Sequence, residues 1–114
     1  MSLTDRSGLV AALDSTGLPA VSGSWRVGGA PEPPYLVYRP ADAAVSYADN
    51  RPALVTTLYD VELYFDLGSR DALVEEKVEA ALDAAGIPWS KSFPGDVEDQ
   101  RLTETCWTVQ VSGD

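Results

Sequence analysis

The stretch Ala53–Leu67, ALVTTLYDVELYFDL, decides how the rest of the chain is read. Its odd positions hold Val55, Thr57, Tyr59, Val61, Leu63, Phe65 and Leu67, and its even positions include Thr56, Asp60, Glu62 and Asp66. Side chains alternate between the faces of a strand, so this pattern predicts one long strand with an apolar side and a largely acidic side. At roughly 3.3 Å per residue such a strand spans on the order of 50 Å, well beyond the usual five or six residues. A ribbon of that length exceeds what a small core needs, and the surplus points to assembly with a neighbour rather than to catalysis.

Downstream, Gly68-Ser69-Arg70-Asp71 ends the strand and opens a helix over 70–85, with Ser69 as the expected N-cap and Asp71, Glu75 and Glu76 near the positive end of the helix dipole. Leu73, Val74, Val78, Ala81, Leu82 and Ala85 follow helical spacing, which leaves Glu75, Glu76, Glu79 and Asp83 for the solvent side. Gly86 and Pro88 stop the helix. Trp89 to Phe93 reads as a strand, Pro94-Gly95-Asp96 as a turn, and Leu102 to Ser112 as a final strand with Thr105, Trp107, Val109 and Val111 on one face.

Upstream, residues 3–16 read as a short helix, weakened by Ser7 and Gly8 and stopped by Gly17 and Pro19. Val21 to Val27 suggests a strand, Gly28 to Pro34 an exposed connection, and Tyr35 to Arg39 a second strand. Pro40 to Pro52 (PADAAVSYADNRP) reads as a flexible excursion, because proline stands at both ends. The fold class predicted is α+β: a mainly antiparallel sheet of four to five strands with two helices on one face, in the order αβββαββ, as a single domain over 1–114.

Composition narrows the function. The chain has 114 residues, 45% of them hydrophobic, and eighteen acidic against eight basic side chains, for a formal charge of −10. The basic residues are scattered, whereas phosphate backbones and anionic membranes call for clusters, so specific nucleic-acid or membrane binding is not expected. No apolar run approaches the length of a membrane span, and the N-terminal residues do not resemble a secretion signal. The absence of histidine excludes Ser-His-Asp and Cys-His catalysis and His-based zinc sites, and the single Cys106 excludes thiolate metal centres. No cofactor, metal or catalytic residue is expected. Asp60 with Glu62, and Asp96 with Glu98 and Asp99, remain as carboxylate groups, and a solvated face is the simplest account of each. Tyr64 stands out as a large aromatic sharing the charged face with Asp60 and Glu62, a reasonable interface anchor.

Five segments together resemble a known family. PEPPYLVY (Pro31–Tyr38), SYADNRP (Ser46–Pro52), YDVELYFD (Tyr59–Asp66), VEEKVEAALDAAGIPW (Val74–Trp89) and LTETCWTVQV (Leu102–Val111) are similar in order and texture to small tail-completion proteins of tailed bacteriophages and prophages. The resemblance implies a tail-terminator-like virion protein at the head–tail junction, present in the host cytoplasm during assembly. Such a subunit forms a ring with copies of itself, hexameric by the resemblance. It joins tail-tube and head-connector proteins, and DNA passes through it. On this reading Tyr47, Asp49, Asn50 and Arg51 contact a neighbour or the tube, with Glu62 and Tyr64 opposite. Some of Asp60, Glu62, Asp96, Glu98 and Asp99 would line the channel and repel phosphate. The alternatives are a head-closure or connector protein, a non-viral α+β adaptor that binds peptides at a sheet edge, and a carboxylate-metal hydrolase.

Overall fold

A computed structural model describes the backbone at residues 4–25, 29–48 and 51–112, and the side chains at all of these except 42–56. The elements are α1 (Arg6–Ser15), β1 (Ala20–Ser22), β2 (Tyr35–Ala48), β3 (Arg51–Asp66), α2 (Ala72–Ala84), β4 (Trp89–Val97), a single 3-10 turn (Glu98–Gln100) and β5 (Leu102–Ser112). The strands form one sheet in the order β1-β2-β3-β5-β4, with β1 parallel to β2 and every other pair antiparallel. This is the α+β class and element order that the hydropathy pattern predicts.

The alternation in β3 sets the two sides of the sheet. Tyr59, Val61, Leu63 and Phe65 are buried on one side, beside Leu36 and Tyr38 of β2 and Trp107, Val109 and Val111 of β5. Leu9 and Leu13 of α1 and Val78 and Leu82 of α2 cover this side, so both helices lie on one face. Each such aliphatic or aromatic side chain contributes about 1.5–3 kcal/mol when fully buried, which makes this layer the main source of stability.

Local chemistry explains the helix ends. Asp5 caps α1 by accepting from the Gly8 amide at 3.0 Å. A Cβ at position 8 would fall 1.8 Å from Thr4 Cγ2, so any larger residue there would have to displace the Thr4 side chain. α2 is capped by Asp71, whose side chain accepts from Leu73 N at 2.9 Å, not by Ser69 as expected. It ends in a Schellman turn: Gly86 at φ +71° lets Ile87 N donate to Leu82 O and its own N donate to Asp83 O.

The structure corrects three expectations about the strands. The segment Pro40–Pro52 is not an excursion; through Ala48 it continues β2, and from Arg51 it belongs to β3. Register shifts between Pro40 and Ala43 and between Ser46 and Tyr47 mark the irregularities beside the two prolines, and Pro40 lies past the last β1–β2 pair, where β2 is an edge. The expected turn at Pro94-Gly95-Asp96 is a bulge inside β4, between Ser92 and Gly95 at φ +97°, and the chain reverses at Glu98–Arg101 instead, with Arg101 left-handed at φ 56°. Finally, β1 is confined to three residues, so Trp25 lies outside it.

Candidate functional site

Two features stand out: the outer half of the β2–β3 hairpin and the sheet face that the helices leave open. In the hairpin, β5 pairs with β3 only from Thr56 to Asp66 and β1 pairs with β2 only up to Tyr38. Beyond these limits Val45↔Val55, Ser46↔Leu54, Tyr47↔Pro52 and Ala48↔Arg51 pair with each other alone. The molecule measures 49 × 26 × 23 Å, in keeping with an extended ribbon at one end. Both edges of that ribbon carry backbone groups without a strand partner among the described residues.

The open face is built by strand register. Three rows cross β2, β3 and β5: Tyr35–Tyr64–Glu104, Val37–Glu62–Cys106 and Arg39–Asp60–Thr108. Arg39 Nη2 lies 2.9 Å from Glu62 Oε1, which also accepts from the Tyr64 hydroxyl at 3.1 Å. The Thr108 hydroxyl donates to Asp60 at 3.3 Å. The segment after β1 returns over this face and sets the Trp25 ring edge-on to Tyr35, with centroids 6.0 Å apart, while Tyr35 and Tyr64 lie 5.4 Å apart. A cavity of about 280 Å³ opens there, lined by Trp25, Tyr35, Val37, Arg39, Tyr64 and Gln100.

The electrostatics of the face follow from burial among acids. Burial, then the charges of Glu62 and Glu104, pushes the Tyr64 phenol well above its ordinary range. Burial, with Glu62 next, raises the Glu104 carboxyl. Cys106 is pushed up to about 11 by burial and by Asp60, Glu104 and Glu62, which leaves it a protonated, inert thiol at neutral pH.

The remaining candidates fall elsewhere. Asp96 lies on the helix-covered side of β4 and accepts from the Thr103 hydroxyl at 2.8 Å, while Glu98 and Asp99 are exposed in the turn after β4. The five candidate channel acids therefore occupy separate places: Asp60 and Glu62 on the open face, Asp96 on the other, Glu98 and Asp99 at the sheet end. Asp49 and Asn50 lie outside the described residues, as do the side chains of Tyr47 and Arg51, whose backbones sit in the hairpin ladder. Among the described residues no group of three or more His, Cys, Asp or Glu could hold a metal ion, and no helix is long and apolar enough to cross a membrane.

Sequence reasoning missed Arg39, Glu104 and the return of Trp25 over the open face. The first two were recoverable by carrying the β3 alternation across antiparallel neighbours. It also misplaced Glu75, which is buried rather than solvated. Arg70, Lys91 and Thr105 all reach its carboxylate, and Lys91 also bridges to Glu79 at 2.8 Å. This cluster ties α2 to the sheet and is structural in character. Compared with known proteins, the chain matches no protein-family model and no curated protein.

Proposed function

We propose that the chain is a tail-terminator-like structural subunit of a tailed phage or prophage particle, which forms a ring with copies of itself at the head–tail junction. The observation that carries this reading is the outer hairpin, where β2 and β3 run past the rest of the sheet and, among the described residues, pair only with each other. A ring needs heterologous contacts, in which one patch meets a different patch on the next subunit. An extended arm at one end of an elongated molecule suits that geometry. The likeness of five segments to tail-completion proteins supports the same reading and supplies the expected partners, the tail tube and the head connector. In this arrangement Tyr47, Asp49, Asn50 and Arg51 contribute contacts to the neighbour or the tube. The exposed pair Glu98 and Asp99 faces the channel, where negative charge keeps DNA from adhering.

The test is to replace Ser46–Leu54 by a two-residue Asn-Gly turn. The expected protein keeps its thermal unfolding midpoint within a few degrees but no longer caps tail tubes in electron micrographs. A shortened protein that still terminates tubes defeats the arm reading. Binding to tailless heads rather than to open tubes moves the subunit to the head-closure role.

A further inference from the structure

Among the described residues the open face carries more negative charge than it balances. Asp60, Glu62 and Glu104 face Arg39, and among the described residues neither Asp60 nor Glu104 has an ion-pair partner. Glu62 is the one that Arg39 reaches, at 2.9 Å. Beside these acids stand the aromatic rings of Trp25, Tyr35 and Tyr64 around the cavity of about 280 Å³. Trp25 Nε1 is buried without an acceptor among the described residues. Next to the cavity, β1 ends at Ser22, opposite Tyr38, so among the described residues that edge of β2 has no neighbouring strand from Arg39 onward.

We propose that this groove receives an extended, basic segment of another protein, with an arginine or lysine seated between the Glu62–Glu104 pair and the Tyr64 ring. The acids, the rings and the strand edge call for the same occupant. A cation supplies the missing counter-charge through charge-assisted hydrogen bonds. The same cation lies against aromatic faces, which attract it. An extended backbone pairs with the free β2 edge, as in peptide recognition by strand addition. The raised Glu104 carboxyl marks the position where an external positive charge relieves the most strain on the acid cluster. A second copy of this chain carries the same −10 charge and is the poorer match for this face. The proposal does not depend on the ring reading, which rests on the arm.

The experiment measures fluorescence anisotropy of a capped, fluorescein-labelled peptide of alternating arginine and threonine, added to the full chain at about physiological salt. Saturable binding is expected, with no binding of the same peptide carrying glutamate for arginine. The double variant Glu62→Gln/Glu104→Gln should weaken binding by about tenfold or more, as loss of charge-assisted contacts requires. Asp14→Asn/Glu76→Gln removes equal charge from the exposed surface of the two helices, on the other side of the sheet, and should change it less than about twofold, as expected for a distant, solvent-screened charge. Equal losses in both variants, or none in either, overturn the proposal, since general attraction to an acidic protein would then suffice. Hydrogen exchange on the unaltered chain gives a readout free of folding defects. Peptide-dependent protection should appear in β2 from Arg39 onward, and protection elsewhere only, or none, overturns it. Sedimentation showing self-association that the Glu62→Gln/Glu104→Gln variant abolishes assigns the groove to a second copy and overturns it too.

Discussion

Arg70 holds both carboxylate oxygens of Glu75, with Nε 2.6 Å from Oε2 and Nη2 3.0 Å from Oε1. The glutamate is 1% exposed, whereas Arg70 reaches it from the surface just before α2. Lys91 of β4 and the Thr105 hydroxyl of β5 complete the shell, at 2.8 and 2.7 Å. One buried carboxylate thus fastens the helix to two strands and to the loop that precedes it.

Replacing that carboxylate loosens all three attachments. Glu75→Gln is expected to destabilise the fold by about 1–3 kcal/mol, because buried hydrogen bonds to charged groups are lost while the two cations can still turn to water. Glu76→Gln, one residue on and exposed, should stay within about 0.5 kcal/mol. Urea unfolding midpoints at neutral pH separate the two.

Acid should act on this fold through two carboxyls of opposite sign. Burial alone would raise Glu75, but hydrogen bonds from Arg70, Lys91 and Thr105 outweigh it and hold the group at about 2, below its ordinary 4.5. Its stabilisation is therefore present above about 4.5 and is lost as the pH falls towards about 2. Glu104 is shifted upward, mainly by burial, so the folded chain holds that proton more tightly than the unfolded chain does. Its ionisation weakens the fold as the pH rises, and Glu104→Gln should be the more stable protein at pH about 7, with the gain vanishing in acid. Denaturant midpoints across that range give the two slopes.

Cys106 should resist alkylation. With its thiol at about 11 against an ordinary 9.0, the thiolate fraction near pH 8 falls about a hundredfold relative to an unfolded chain, since each pKa unit is a factor of ten. Iodoacetamide labelling followed by mass spectrometry, with and without urea, should show at least that difference in rate.

Two leucines separate core from surface. Leu63 is fully buried beneath the helices, and Leu63→Ala should cost about 2–5 kcal/mol. Leu73 is 75% exposed although it begins the apolar run of α2, and Leu73→Ser should stay within about 0.5 kcal/mol. Thermal unfolding of both variants tests the assignment of layers.

What could be read before any coordinates follows from how strongly each segment was patterned. β3, β5 and α2 bury one face each, and period two or helical spacing exposes that directly. The outer hairpin escaped because Pro40 and Pro52 look like breaks, yet register shifts beside them let the ladder continue. Pro94-Gly95 misled in the same way, as a bulge that mimics a turn. Glu75 was lost to its charge: it precedes Val78 by three residues and Leu82 by seven, squarely on the buried stripe of α2. For the open face, Asp60, Glu62 and Tyr64 were legible from β3 alone. Their neighbours Arg39 and Glu104 required the strand order, which local pattern does not encode.

The place of β5 also orders events during synthesis. β3 pairs with β2, the strand just before it in the chain, but its other edge waits for a strand separated from it by α2 and β4. That late strand brings Trp107, Val109 and Val111, all essentially fully buried. A nascent chain stalled before Leu102 thus leaves Val61 and Leu63 on a strand with one edge still unpaired.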